Sequence, residues 1–209
     1  MYRIFALLIG YIFGLIQTSF IVGKLEGIDI RKYGSGNLGA TNTTRVLGKK
    51  KGAIVFFLDL IKAIVAFTVA TLIFGGESSI NSGVSHNVHF GIYAGLGAVL
   101  GHCFPFYMKF KGGKGIACAI GVMISIDFII AITMIALCTS IIILKKYVSL
   151  ASLIFVCLSP IFLAVYRFPI EIIAISCLIA AICVFLHRGN IKKLLNGTER
   201  KFGEKAEII

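Results

Sequence analysis

Residues 114–146 read KGIACAIGVMISIDFIIAITMIALCTSIIILKK, opening on Lys114 and closing on the doublet Lys145–Lys146, with Asp127 the one acid between them. Lysine and arginine beside apolar segments gather on the cytoplasmic side of a membrane. The chain between these two basic points therefore crosses an even number of times. About thirty residues are available, whereas one full helical span takes about 20. The stretch predicts two short crossings, a helix over 116–125 and a return over 128–144, with Ser125 and Asp127 at the turn.

Working outward, the charges sort in the same way. Eighteen of the 21 basic residues fall in four places: 24–51, 107–115, the 145–146 doublet and the tail from His187 onward. The stretch Gly75–Val88 holds no Lys or Arg and one acid, Glu77. Apolar segments over 4–23, 52–74, 90–107, 116–125, 128–144, 147–166 and 170–186 then give an all-α integral membrane protein. It has seven transmembrane helices, the N-terminus outside, the C-terminus cytoplasmic and the fourth helix short. Residues 1–209 form a single membrane-embedded domain. At 58% apolar and 14% charged, with mean hydropathy +0.96, the chain lacks the polar surface of a soluble domain.

The first segment, preceded only by Arg3 and lacking a small-x-small cleavage site before Lys24, reads as a retained helix rather than a signal peptide. The net charge of +12 reports topology; the aromatic and arginine interleaving of a nucleic-acid surface is missing. Cys103, Cys118, Cys138, Cys157, Cys177 and Cys183 lie in or beside apolar runs, none as C-x-x-C, and read as small core hydrophobes. No metal site is expected.

Three polar stretches carry chemistry. The first is Gly34-Ser35-Gly36-Asn37-Leu38-Gly39-Ala40-Thr41-Asn42, then Arg45. It matches G-x-G-x-x-G, yet no strand precedes it, and Asp59, the acid that would follow in a dinucleotide site, is inside an apolar helix. The physics of the loop survives without that fold. Gly34, Gly36 and Gly39 admit backbone N–H groups close to an oxyanion, Ser35, Asn37, Thr41 and Asn42 add neutral hydrogen bonds, and Arg45 adds a charged fork. The second is Gly101-His102-Cys103-Phe104-Pro105 with Phe110-Lys111-Gly112-Gly113-Lys114-Gly115. It is not a Walker A loop, because Gly115 stands where Ser or Thr should follow Lys114. A helix starting near Gly115 would aim free N–H groups and a positive dipole at an anion. His102 reads equally well as a helix-packing hydrogen bonder or as a site residue.

The third stretch runs His187-Arg188-Gly189-Asn190-Ile191 to Gly197 and Glu199. On a continuing helix His187 and Asn190, at i and i+3, share a face. Arg188, Lys192 and Lys193 suit anionic headgroups. Asp59 and Lys62, also i and i+3, sit in the second apolar segment, where charges usually mark an ion pair or a site; they read as a structural pair bracing the cavity floor.

Together the three stretches resemble the signatures of the bacterial acyl-phosphate:glycerol-3-phosphate acyltransferase family (PlsY), in order and spacing across nearly the whole chain. The resemblance implies a seven-helix fold in the bacterial cytoplasmic membrane with the active site on its cytoplasmic face. It implies transfer of a fatty acyl group from acyl phosphate to the 1-hydroxyl of sn-glycerol 3-phosphate, giving lysophosphatidic acid and inorganic phosphate. Carried onto matching positions, Ser35, Arg45, Lys111, Lys114, His187 and Asn190 would be the catalytic residues. Gly34, Gly36, Asn37, Gly39, Thr41, Asn42, Gly112, Gly113 and Gly115 would hold phosphate, supported by His102, Asp59 and Lys62. The partners implied are the two substrates, membrane lipids and a soluble enzyme that makes acyl phosphate; no cofactor and no nucleic acid are expected. The chain departs from the family at Gln17-Thr18-Ser19-Phe20, where Ser-Ile-Pro is common, and at Cys118, where Thr is usual.

The inventory fits that chemistry. Two phosphate-bearing substrates account for two cationic glycine-rich loops. An acyl phosphate is already activated, and no His-x4-Asp motif occurs, so the attacking hydroxyl can lose its proton to a substrate phosphate oxygen with His187 assisting. Positioning and electrostatics then supply most of the rate. A small anion transporter would also use half-length segments, but polar groups would cross the outer halves, which are apolar here. A lipid-binding scaffold would explain the charges but not the clustered glycines and asparagines.

Overall fold

The computed structural model describes residues 1–75 and 88–204. The helices are α1 (Tyr2–Gly14), α2 (Thr18–Leu25), α3 (Ala40–Leu47), α4 (Lys49–Phe74), α5 (Val88–Cys103), α6 (Ile116–Ile126), α7 (Phe128–Lys145), α8 (Val148–Val165), α9 (Ile170–Leu186) and α10 (Arg188–Leu195), with 3-10 turns at Ile30–Lys32 and Phe106–Met108. Among the described residues, five stretches are long and apolar enough to cross a membrane: Tyr2–Leu25, Lys49–Phe74, His89–Met108, Phe128–Lys145 and Val148–Val165. A sixth is the pair α9 and α10, bent by 61°. The basic-residue-free stretch around Glu77 lies outside the described residues from 76 to 87.

The helix expected to be short is short: α6 has 11 residues, about 16 Å of rise at 1.5 Å per residue. It ends where expected. Asp127 turns extended, and its carboxylate accepts from the Ile130 N–H at 2.8 Å, capping α7. Seven of the eleven residues of α6 are buried, and the helix is enclosed by α4, α5, α7 and α8. Gly121 allows the closest approach, since a Cβ there would overlap the Leu60 carbonyl of α4.

The first segment corrects the sequence reading. It is not one helix over 4–23 but is broken between Gly14 and Thr18. Gln17, 1% exposed, donates its amide towards the carbonyls of His102 at 3.1 Å and Gly101 at 3.3 Å, at the end of α5. A buried NH2 group needs acceptors, and those of Gln17 lie on the neighbour. The neighbour is close because α1 and α5 meet on glycines: a Cβ on Gly14 would meet the Ala98 carbonyl, and one on Gly101 the Tyr11 carbonyl. Small residues at such crossings bring helix backbones together in membranes.

At one end of the bundle Glu171 joins the starts of three helices. Its carboxylate lies 2.7 Å from Arg3 Nε of α1, accepts from the Tyr93 hydroxyl of α5 at 2.6 Å, and sits 3.1 Å from His89 Nδ1. The four basic stretches gather at the opposite end. The cysteines divide: Cys103, Cys118, Cys138 and Cys183 are core residues as read, whereas Cys157 and Cys177 are exposed on the outer faces of α8 and α9. A lipid-facing helix surface is apolar too, so hydropathy does not distinguish the two places.

Candidate functional site

The first loop is built around Asn42, 2% exposed. Its Oδ1 accepts from the Ser35 N–H at 2.8 Å, and its amide donates to the carbonyls of Tyr33 at 3.1 Å and Ile30 at 3.4 Å. Asn42 is thus committed to holding the loop rather than free for a ligand. Gly36, at φ +67°, could not carry a side chain: a Cβ would lie 2.9 Å from the Arg31 carbonyl. The result is an exposed Ser35 and a short α3 that starts at Gly39, whose first-turn N–H groups have no intrahelical acceptor. Thr41 lies in that first turn. Arg45, one turn on, donates to the Arg200 carbonyl at 3.4 Å. Burial lowers its pKa, with the Glu199 carboxylate opposing that shift.

The second loop folds back onto the end of α5. The N–H of Gly112 donates to the Cys103 carbonyl and that of Gly113 to the His102 carbonyl, each at 3.0 Å. Neither is free to meet an oxyanion. Their lack of a side chain serves packing instead: a Cβ on Gly112 would overlap the His102 carbonyl, and one on Gly113 the His102 imidazole. The Gly112 carbonyl accepts from the Asn37 amide at 3.5 Å, tying the two loops. Gly115, at φ +84°, caps α6. The two lysines then part. Lys111 is exposed, whereas Lys114 turns inward and donates to Asn190 Oδ1. Burial lowers the pKa of Lys114 to about 8, against the pull of Glu199.

The third stretch does not continue straight. The axis bends by 61° between α9 and α10, with His187 at the corner. His187 is buried, and its Nδ1 lies 2.7 Å from the Cys183 carbonyl. A carbonyl only accepts, so Nδ1 carries the hydrogen and Nε2 is left as an acceptor. Burial is the main cause that lowers the His187 pKa to about 4, with the Lys114 charge adding to it. Asn190 remains with His187 despite the bend. Its Oδ1 faces Lys114, and its amide donates to Glu199 Oε1 at 2.7 Å. The tail beyond α10 wraps back over the site, with the Phe202 N–H on the Lys146 carbonyl at 2.6 Å.

Three loops distant in sequence therefore meet at one end of the bundle, as their composition predicts. Residues 4–197 match the family described as glycerol-3-phosphate acyltransferase. The chain belongs to that family. A glycerol-3-phosphate acyltransferase of Thermoanaerobacter sp. (strain X514) is 39% identical over 209 residues, the full length of both chains. A crystal structure of PlsY, an integral membrane glycerol 3-phosphate acyltransferase, in its glycerol 3-phosphate form superposes with a TM-score of 0.86 at 38% identity, covering 97% of this chain and 96% of that one. The lysophosphatidic acid form of PlsY gives 0.84 at 37% identity over the same shares. The chain is thus a multi-pass membrane protein of the acyltransferases of phospholipid synthesis.

Beneath the loops of this acyltransferase lies a buried polar layer. Lys62 Nζ is 2.7 Å from Asp59 Oδ1, 3.0 Å from His102 Nδ1 and 2.6 Å from the Ile16 carbonyl. The Thr18 hydroxyl adds a 2.7 Å bond to Asp59 Oδ1. An ammonium has no acceptor, so His102 Nδ1 accepts and its Nε2 carries the hydrogen on the side of Gly113. The ion pair read from i and i+3 spacing is there, and the His102 ring takes the packing role: it hydrogen-bonds Lys62 and lies against Gly113 of the second loop. The sequence reading marked Gln17 and Thr18 only as a departure from the family, and it missed their buried bonds, Ser149 and the inward role of Glu199. Gln17-Thr18-Ser19, three polar residues inside an apolar run, was the available signal for those bonds.

Proposed function

We propose that the protein transfers a fatty acyl group from acyl phosphate to the 1-hydroxyl of sn-glycerol 3-phosphate, releasing lysophosphatidic acid and inorganic phosphate, as the first acylation of phospholipid synthesis. The observation that carries this reading is the convergence of Arg45, Lys114 and a neutral His187 at one end of the bundle. Arg45 and Lys114, with Ser35 and the first-turn N–H groups of α3 and α6, supply donors for two phosphates. His187 Nε2 accepts from the substrate hydroxyl and aims it. With its pKa near 4, the imidazole cannot retain that proton at neutral pH. As the hydroxyl oxygen bonds to the acyl carbon and the carbon–oxygen bond to phosphate breaks, the proton passes to the departing phosphate. The mixed anhydride is activated already, so a covalent enzyme intermediate is unnecessary. Asn190 orients Lys114, and Lys111 meets substrates or headgroups at the rim.

The same reading places the single domain across the bacterial cytoplasmic membrane seven times, N-terminus outside and C-terminus inside, with the site cytoplasmic. Two features support it. Glu171 gathers the starts of α1, α5 and α9, which are the first, third and seventh segments and must begin on one side. The basic loops collect at the other end. Facing the cytoplasm, the site can receive acyl phosphate from a soluble enzyme that makes it.

The test supplies purified protein with acyl phosphate and glycerol 3-phosphate and follows phosphate release and lysophosphatidic acid. Both are expected in equal amounts. Absence of product from folded protein, or product only from an acyl thioester, overturns the reading.

A further inference from the structure

Next to the site, one buried hydroxyl has no part in the chemistry above. Ser149, in the first turn of α8, is 7% exposed. Its Oγ donates to Glu199 Oε1 at 2.8 Å, the same oxygen that accepts from the Asn190 amide at 2.7 Å. Asn190 in turn accepts from Lys114. A line of hydrogen bonds thus runs from α8, through the wrapped tail and α10, to the lysine of the second loop.

The polarity of that line is fixed from its far end. A carboxylate only accepts, so Glu199 must face the NH2 of Asn190, which turns the Asn190 oxygen to Lys114. Lys114 then spends one N–H on Asn190 and keeps two for an anion. Among the described residues, Glu199 is also the one carboxylate that acts on both Lys114 and Arg45. Unrestrained, it would pair with those cations directly and compete with substrate phosphate. The Ser149 hydroxyl holds it aside.

We propose that Ser149 is a positioning residue for acyl transfer: its bond to Glu199 keeps that carboxylate on Asn190 and away from the two phosphate-binding cations. This rests on the reading of Arg45 and Lys114 as phosphate contacts.

The experiment measures steady-state kinetics of phosphate release for the full-length protein and its variants, with glycerol 3-phosphate varied and acyl phosphate saturating. Ser149→Ala is expected to raise the KM for glycerol 3-phosphate about tenfold, as expected for a lost hydrogen bond to a charged group. Its kcat should fall less and its melting temperature hold. Ser149→Thr, which keeps the hydroxyl, should restore the KM. Glu199→Gln removes the competing charge, so adding Ser149→Ala to it should change KM no further. Should Ser149→Ala not be recovered folded, Ser149→Cys keeps the volume, weakens the donor and is expected to shift KM in the same direction. An unchanged KM in the folded variant, loss without rescue by threonine, or equal effects of Ser149→Ala with and without Glu199→Gln overturns the proposal. Absence of turnover by the unaltered protein instead overturns the acyl-transfer reading itself.

Discussion

Replacing Asn190 with alanine tests how the three loops are wired together. The side chain joins two charged neighbours, accepting from Lys114 and donating to Glu199 at 2.7 Å. Each bond to a charged group contributes about 1.5–3 kcal/mol, so removing both costs about 3–6 kcal/mol. No residue of α10 is buried, so the bundle itself should survive the change and the loss should fall on the site. If most of it is felt in the transition state, kcat/KM drops on the order of 10²- to 10⁴-fold, at about 1.36 kcal/mol per factor of ten. The assay is phosphate release from acyl phosphate in the presence of glycerol 3-phosphate, with the melting temperature in detergent as the check on folding. Asn190→Asp keeps the shape and the acceptor for Lys114 but sets two carboxylates against each other, so it should fare no better than alanine. An Asn190→Ala variant within about threefold of the unaltered rate would refute the assignment, because two bonds to charged groups cannot both be lost at so small a cost.

Two further outcomes are expected. In the proposed mechanism the protonated form of Lys114 binds phosphate, and burial lowers its pKa from 10.5 to about 8, so kcat/KM should fall as pH rises through about 8. Lys114→Arg, which stays charged, should move that limb upward whatever it does to the maximal rate, and an unmoved limb would assign it to another group. Lys62→Met leaves the Asp59 carboxylate buried without its ammonium and should destabilise the protein by about 3–5 kcal/mol, read by denaturation in detergent. Lys62→Met with Asp59→Asn should cost less than the two single changes added, and strict additivity would argue against a coupled pair.

The long-range plan of the molecule is written in its charges. Lys114 and Lys145, with about thirty residues between them, call for a short helix, a turn and a return, and α6, Asp127 and α7 follow that order. Periodicity and charge do not report bends, however. Gln17 ends α1 because the end of α5 offers it carbonyls, and that contact exists only after folding. The corner at His187 is hidden for the same reason. The glycine loops were legible as loops but not in their division of labour. Gly112 and Gly113 look like a phosphate cradle in sequence, whereas their N–H groups close on His102 and Cys103. Asn42 looks like a ligand and is a tie. Glu199 gave no signal of burial, since an acid in a basic tail normally stays in water; only its proximity to Ser149 and Asn190 explains it.

The wrapped tail also has a consequence for biosynthesis. His187, Asn190 and Glu199 come last among the polar groups of the site, after every long apolar segment of the chain has been made. A ribosome that has delivered the first two loops has delivered Ser35, Arg45 and Lys114 but nothing to orient the lysine. The three loops come together only once the helix Ile170–Leu186 has turned its corner and the tail has settled over them.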